Sequence, residues 1–176
     1  MRRIVPSLLA FTLLAVYPVL KSSNVASAQA PAAGAKSLTA RVHNSGFPLS
    51  HDSYNAIGTA SNGKIYYVLS SESIDTGAQV YSYDPATDKI THLADLTEIC
   101  GEKGLKAIPQ NKSHVNFREA KGKLYFASHI GYYTIRNGME TPGVPPAGYK
   151  EYPGGHFLSY DLTTGKFENY GIAPHH

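Results

Sequence analysis

A short pattern that occurs twice in this 176-residue chain constrains its fold more than any other feature. The first copy is residues 62–70, Asn-Gly-Lys-Ile-Tyr-Tyr-Val-Leu-Ser, and the second is residues 121–129, Lys-Gly-Lys-Leu-Tyr-Phe-Ala-Ser-His. Each copy is a Gly-Lys turn followed by a strand-length run of aromatic and aliphatic residues. A second pair follows, because residues 81–90, Tyr-Ser-Tyr-Asp-Pro-Ala-Thr-Asp-Lys-Ile, match residues 158–167, Leu-Ser-Tyr-Asp-Leu-Thr-Thr-Gly-Lys-Phe. Both patterns return in the same order, so the chain contains an internal repeat.

Each repeat is predicted to contain four short strands, and no segment after residue 37 has convincing helical periodicity. The predicted strands are residues 54–60, 64–70, 79–83 and 89–93 in the first repeat, and 115–120, 123–130, 156–160 and 166–170 in the second. In the turns before the last strands, we expect Asp84 to cap the first and Gly165 to take a positive φ in the second. The sequence therefore predicts an all-β fold of four-stranded antiparallel units.

The two repeats differ in length at one place. Gly63 and Gly122 are 59 positions apart, whereas Asp84 and Asp161 are 77 apart. The extra 18 residues fall within residues 131–155, which are predicted to form a long loop. A β-sandwich also contains many short strands, but it does not explain why both patterns return in order.

The repeat resembles the blades of secreted bacterial β-propellers, in which Gly-Lys-aromatic and Tyr-Asp-x-x-Thr-Gly-Lys patterns recur. The resemblance covers about residues 54–171 and implies the fold rather than an activity. It predicts one propeller blade at residues 51–96, a linker at residues 97–112 and a second blade at residues 113–176. Propellers close with roughly four to eight blades. Two blades therefore predict either part of a longer propeller or a ring completed by self-association.

The N-terminus has the features of an export signal. Two arginines are followed by an apolar stretch at residues 4–20 and a small-residue cleavage site, Ala26-Ser27-Ala28. We predict a signal peptide at residues 1–28, a lead segment at residues 29–50, and a periplasmic or extracellular location. An uncleaved anchor helix is the alternative, and Pro6 and Pro18, which interrupt the apolar stretch, count against it.

The charge of the mature chain gives no indication of a nucleic-acid partner. The chain has 16 Lys and Arg and 13 Asp and Glu residues. Three of the basic residues lie in the predicted signal peptide, so the two signs balance after cleavage and no basic footprint remains. No later stretch is long and apolar enough to cross a membrane. Cys100, the only cysteine, is expected to be buried rather than redox-active.

Three histidines are candidates for a metal or acid–base site. The propeller resemblance implies that His114, His129 and His156 face the side of one blade where ligands usually bind. Neutral imidazole is the commonest metal ligand, so a divalent metal is a possible cofactor. His51 and Asp52 could contribute from the neighbouring blade. The alternative is that these are separate loop histidines bonded to backbone or water.

The long loop carries the second group of candidates. A tyrosine combines a flat apolar ring with a polar hydroxyl, which suits stacking on sugars or gripping peptides. The alternative is a loop that simply covers the blade. The predicted ligand-binding residues are Tyr132, Tyr133, Arg136, Tyr149 and Tyr152.

Lys112, Arg118 and Arg136 could each bind a carboxylate substrate, although surface solvation is the expected role of each. Asn111, Lys112 and Ser113 form a glycosylation sequon. The leading hypothesis is an exported binding module for a carbohydrate or peptide. The alternative is a metal-dependent enzyme similar to the propeller lyases that act on uronic-acid polysaccharides, with no catalytic residue assigned. A purely structural role is a third possibility.

Overall fold

The computed structural model describes residues 39–173. The predicted signal peptide and the first part of the predicted lead segment lie outside the described residues. The chain divides between Arg41 and Val42 into two units, and the strands, loops and contacts below all belong to the second.

The first repeat forms one antiparallel sheet, here called sheet 1. Its strands lie side by side in chain order, as the sequence predicted. They are β1 (Ile57–Thr59), β2 (Ile65–Leu69), β3 (Gln79–Asp84) and β4 (Lys89–Asp95). A short helix, α1 (Leu96–Ile99), follows β4, beginning at the last residue of the predicted first blade and extending into the predicted linker. It is capped by the Asp95 carboxylate, which accepts a hydrogen bond from the Thr97 N–H over 2.7 Å.

The second repeat forms sheet 2 on the same plan, with a hairpin inserted after its second strand. The strands in chain order are β5 (Arg118–Ala120), β6 (Lys123–Ala127), β7 (Tyr133–Arg136), β8 (Met139–Pro142), β9 (His156–Asp161) and β10 (Phe167–Ile172). Sheet 2 has the order β5-β6-β9-β10, and β7 pairs only with β8. The all-β prediction of two four-stranded antiparallel sheets is confirmed. Residues 131–155, predicted as a long loop, contain the β7–β8 hairpin.

The turns use the residues that the sequence singled out. Asp84 accepts a hydrogen bond from the Ala86 N–H over 2.9 Å. Asp161 caps the matching turn, and bonds from the Thr164 and Thr163 N–H groups lower the pKa of its carboxyl. Gly165 has a φ of +68°, which a residue with a Cβ adopts only with strain. Both turn predictions are confirmed.

The hydrophobic core is one layer between the two sheets. Tyr66 and Val68 on β2 face it from sheet 1, while Leu124 and Phe126 on β6 face it from sheet 2. Leu158 on β9 completes the contact from sheet 2. Because side chains alternate along a strand, each sheet also has an outer face that points away from this layer.

The two buried faces are not equivalent in the repeat. In the sequence alignment, Leu124 corresponds to Ile65, but Leu124 is on the buried face and Ile65 is on the outer face of sheet 1. Conversely, the buried Tyr66 corresponds to Tyr125, which lies on the outer face of sheet 2 and is 37% exposed. The sheets therefore stack front to back, with opposite faces of the repeat meeting.

The strands of the two sheets also run in the same order across the contact, so that corresponding edges lie next to each other. The first strands approach closely, since a Cβ on Gly58 in β1 would lie 3.1 Å from the Phe117 Cβ just before β5. The Ser61 hydroxyl and N–H, after β1, donate to the Glu119 carboxylate on β5 over 2.5 and 2.7 Å. At the other edge, α1 contacts β10.

Truncation of a core residue tests this arrangement. Leu124→Ala is expected to lower the free energy of unfolding by about 2–5 kcal/mol, because it leaves a cavity in the layer between the sheets. Ile135→Ala removes an aliphatic side chain of the same size from β7, where the residue is 69% exposed. It should change stability by no more than about 0.5 kcal/mol. Urea unfolding followed by circular dichroism measures both, and equal losses would contradict the assigned core.

Candidate functional site

Residues 108–113 form a buried segment, here called the crossover segment, that runs between the loops of the two sheets. Buried backbone N–H and C=O groups need hydrogen-bond partners. The Ser71 N–H donates to the Asn111 carbonyl over 3.0 Å, in the loop after β2. Lys112 and His129 exchange two backbone bonds of 3.0 and 2.7 Å, in the loop after β6. The crossover segment therefore joins the two sheets at one end.

The side chain of Asn111 is part of this junction. It is fully buried, and its Nδ2 donates to Ser71 Oγ over 3.1 Å and to the Ser73 carbonyl over 2.8 Å. A Cβ on Gly131 would lie 2.5 Å from the Asn111 Cβ, so only glycine fits there. A glycan on Asn111 would need this space and these donors. The Asn111 side chain is therefore inaccessible to glycosylation in the folded protein.

Lys112 is buried, and the expectation of a solvated surface lysine is wrong. Its side chain is 1% exposed. Its Nζ donates to Tyr54 Oη over 2.7 Å and lies 4.2 and 4.7 Å from the ring centroids of Tyr54 and Tyr133. The Asp52 carboxylate is 4.0 Å away. A buried ammonium needs such partners, and here aromatic faces and one carboxylate supply them.

Two histidines extend this arrangement to the surface. The ring of His114 stacks on Tyr54 at 4.6 Å between centroids, and on its other side stacks with His129 at 4.5 Å. We call Tyr54, Lys112, His114, His129 and Tyr133 the Lys112 cluster. Tyr54 and both histidines are exposed, while the ammonium lies beneath them. The cluster therefore presents aromatic rings to solvent above a buried positive charge.

The backbone of Tyr54 is strained. Its φ is +43°, a conformation that is rare for a bulky residue. Backbone strain of this kind occurs most often at functional sites, where the surrounding structure enforces it. Here the hydrogen bond from Lys112 and the stacking on His114 hold the Tyr54 ring in place.

Within the cluster, the pKa values of Lys112 and His114 shift in opposite directions. Burial opposes the charge on Lys112, but the hydrogen bond to Tyr54 and the nearby Tyr133 and Asp52 outweigh it, so its pKa lies above the ordinary value. Burial and the neighbouring His129 and Lys112 lower the pKa of His114. A cationic lysine thus lies beside an imidazole that favours its neutral form.

His51 and Asp52 lie next to the cluster, as the sequence suggested. His51 Nδ1 is 2.6 Å from the Asp52 carboxylate, and this bond, with the charge of Glu72, raises the pKa of His51. Asp52 also accepts a hydrogen bond from the Ser70 hydroxyl. Asp52 therefore links His51 to the surroundings of Lys112.

His156 is not part of the cluster, so the predicted gathering of three histidines is wrong. It is buried, with Nε2 2.8 Å from Glu102 Oε1 and Nδ1 2.9 Å from Asn169 Oδ1. His156 pairs with Ser128, the residue before His129, and alternation along the chain sends the two imidazoles to opposite sides. Within residues 39–173, no three His, Cys, Asp or Glu side chains are grouped to hold a metal ion.

Of the predicted ligand-binding residues, only Tyr133 contacts Lys112. Tyr149 hydrogen-bonds to Asp75, which raises the pKa of its phenol. Tyr152 donates to Gln110 Oε1 over 2.7 Å, beneath the crossover segment. Arg136 is exposed on the β7–β8 hairpin, and Tyr132 is half-buried at its base.

Cys100 is buried, as predicted. It ends α1, is 6% exposed, and its Sγ lies 3.9 Å from Ser128 Oγ. Burial raises the pKa of its thiol to about 12. The thiol is therefore almost entirely protonated at neutral pH and is a poor nucleophile.

Sequence reasoning missed Tyr54 and the central position of Lys112. Tyr54 lies three residues before the start of β1, and its partner Lys112 is 58 residues further along the chain. The available signal for Tyr54 was its place next to Asn55, which aligns with His114 in the repeat. Nothing in the polar run around Lys112 indicated burial.

Comparison with protein-family models, curated proteins and solved structures found no significant match. Among the described residues, no helix has the length and apolarity needed to cross a membrane. The geometry of the Lys112 cluster is therefore the basis for assigning a function.

His114 provides a direct test of the cluster. Its pKa should lie below that of an ordinary histidine, and His129→Gln should raise it by removing a neighbouring imidazole. The lowered pKa also has a consequence for stability. Because the unfolded chain binds a proton at His114 more readily than the folded chain does, the free energy of unfolding should decrease as the pH falls below about 6.5. NMR titration of the imidazole signals measures the pKa. His43→Gln, at the outer face of sheet 1, is the control and should leave His114 unchanged.

Proposed function

We propose that this protein is an exported module of the β-propeller type that binds a carbohydrate bearing carboxylate groups at the Lys112 cluster. The observation that carries the proposal is the stack of exposed Tyr54, His114 and His129 rings above the buried Lys112 ammonium. The pattern in residues 1–28 supports export.

The front-to-back stacking of the sheets supports propeller blades. In a sandwich of two repeats related by a two-fold axis, the same face of each repeat would be buried. Here opposite faces meet, as when Leu124 is buried and its counterpart Ile65 is not. A rotation that carries sheet 1 onto sheet 2 can be applied again, which is how propeller blades are arranged.

The chemistry of the cluster fits an acidic sugar. A sugar ring can stack on the flat face of Tyr54 or His129, and these rings are exposed. A carboxylate on that sugar would be attracted by the charge of Lys112, which is screened little because the ammonium is buried. Lys112 acts through this field and through its hold on Tyr54, whereas the exposed rings make the contact.

Ligand binding by variants tests the proposal. Tyr54→Ala and His129→Ala are each expected to weaken binding of an oligomer of hexuronic acid by about tenfold or more, the loss of roughly 1.4 kcal/mol. Tyr125→Ala removes an exposed aromatic residue from the outer face of sheet 2 and should have no effect. Isothermal titration calorimetry measures the affinities.

Two matched ligands sharpen this experiment. A neutral hexose oligomer of the same length should bind more weakly, because it lacks the carboxylates. An acidic peptide is the second comparison. Equal affinity for the neutral oligomer, or tighter binding of the peptide, would contradict the proposed ligand class.

A second candidate function is a lyase, favoured by the neutral form of His114 beside the charged Lys112. His114 would take the proton from the carbon next to a substrate carboxylate, and the C–H electrons would form a C=C bond as the neighbouring C–O bond breaks. The departing oxygen would take up a proton. Lys112 would stabilise the negative charge that develops on the carboxylate. The predicted metal-dependent form of this activity lacks a three-ligand group within residues 39–173.

The ultraviolet absorbance of an unsaturated sugar product distinguishes the lyase from the binding module. If the lyase is present, His114→Ala should abolish product formation, a far larger loss than the roughly tenfold weakening of oligosaccharide binding expected from removing one ring of the stack. His43→Ala is the matched control. Binding without any product, at every pH from 5 to about 9, would leave the binding module alone.

A further inference from the structure

The outer faces of both sheets carry apolar side chains that the folded chain does not cover. On sheet 2, the residues are Tyr125, Phe157 and Tyr170, which are 37%, 52% and 49% exposed. On sheet 1, Ile57 is 50% exposed and lines a groove of about 550 Å³. Tyr125 and Tyr170 stack with their ring centroids 6.3 Å apart, beside the Lys123–Glu168 ion pair, and exposed apolar side chains bordered by polar ones are typical of an interaction site.

The internal repeat indicates what fits these faces. On sheet 1, the buried residues Tyr66, Val68 and Val80 receive sheet 2. Their repeat counterparts are Tyr125, Ala127 and Phe157, which all lie on the outer face of sheet 2. The outer face of sheet 2 is thus the counterpart of a face that already binds a sheet.

The complementary relation holds for sheet 1. On sheet 2, Leu124, Phe126 and Tyr160 pack against sheet 1. Their counterparts Ile65, Tyr67 and Tyr83 lie on the outer face of sheet 1 and line its groove. The contact between the two sheets within the chain is therefore a template for a contact between the two outer faces.

We propose that the outer face of sheet 2 binds the outer face of sheet 1 in a second copy of this chain. The contact is head to tail, because different surfaces meet, and such contacts close into rings when the rotation allows. Propellers have roughly four to eight blades, so a ring of two-sheet chains would contain about two to four copies. Residues 42–50 border the groove on sheet 1, where Ser45 Oγ and Tyr67 Oη are 2.7 Å apart, and they would form one rim of the contact.

The mass of the full chain in solution tests the proposal. Light scattering coupled to size-exclusion chromatography should show a discrete assembly across a wide range of concentration. Phe157→Lys and Ile57→Glu each place a charge in the contact and should each weaken assembly by at least about tenfold. Leu105→Glu alters a residue that is 47% exposed and lies on neither face, so it should assemble normally. Circular dichroism of the variants confirms that they fold.

Mixing the two variants identifies the faces involved. Phe157→Lys retains an intact outer face on sheet 1, and Ile57→Glu retains an intact outer face on sheet 2. A mixture should therefore form a heterodimer through the one contact that remains, although neither variant assembles alone. A two-fold contact between identical faces would not produce this complementation.

A folded wild-type monomer at every concentration would overturn the proposal. Assembly that persists in both variants would also overturn it. The same is true if Phe157→Lys loses assembly while Ile57→Glu assembles normally. The outcome is independent of the proposed carbohydrate site, because Ile57 and Phe157 belong to the outer faces and not to the Lys112 cluster.

Discussion

Buried polar contacts through the crossover segment hold the two sheets together at the end where the Lys112 cluster lies. Gln110 donates to Glu102 over 2.9 Å and accepts from Tyr152 over 2.7 Å, and Glu102 in turn contacts His156. Hydrogen bonds between buried groups are costly to break, because the partner that remains is left without water. This network therefore fixes the path of the chain more strictly than the apolar layer alone.

The path of the crossover segment also fixes the geometry of the Lys112 cluster. Lys112 and His114 are two positions apart at the point where the crossover segment ends, and the backbone bonds between Lys112 and His129 set the distance between the two histidines. Tyr54 is fixed from the other sheet by its hydrogen bond to Lys112. A site held by neighbouring packed residues keeps its geometry without a ligand, which lowers the entropy lost on binding.

The strands of both sheets could be predicted from the sequence because their signals are local. Alternating residues and turn residues such as Asp161 are sufficient to place them. The β7–β8 hairpin was missed although Asn137-Gly138 is a strong turn signal and both residues have positive φ, at +52° and +76°. In the alignment of the two repeats this segment is an insertion, so no strand in the first repeat indicated strands here.

The composition of the site was harder to predict. The predicted proximity of His114 and His129 agrees with their ring stacking at 4.5 Å, whereas His156 lies elsewhere, because position along a strand does not by itself indicate the direction of a side chain. Burial of Lys112 depends on Tyr54 and Tyr133, which come from distant segments and approach only in the folded chain. Single-sequence patterns report which face of a strand is apolar, and they contain little information about such distant pairs.

The sequence distances within the site have a consequence for folding. Lys112 and Tyr54 are 58 residues apart, Glu102 and His156 are 54 apart, and Gln110 and Tyr152 are 42 apart. The hairpins of each sheet close over far shorter loops, so they can form first, whereas contacts between distant residues form slowly. The cluster can exist only after both sheets have docked on the crossover segment. A partly folded chain would keep much of its β-structure and yet have no ring stack. The ligand-binding surface is therefore present only in the fully folded protein.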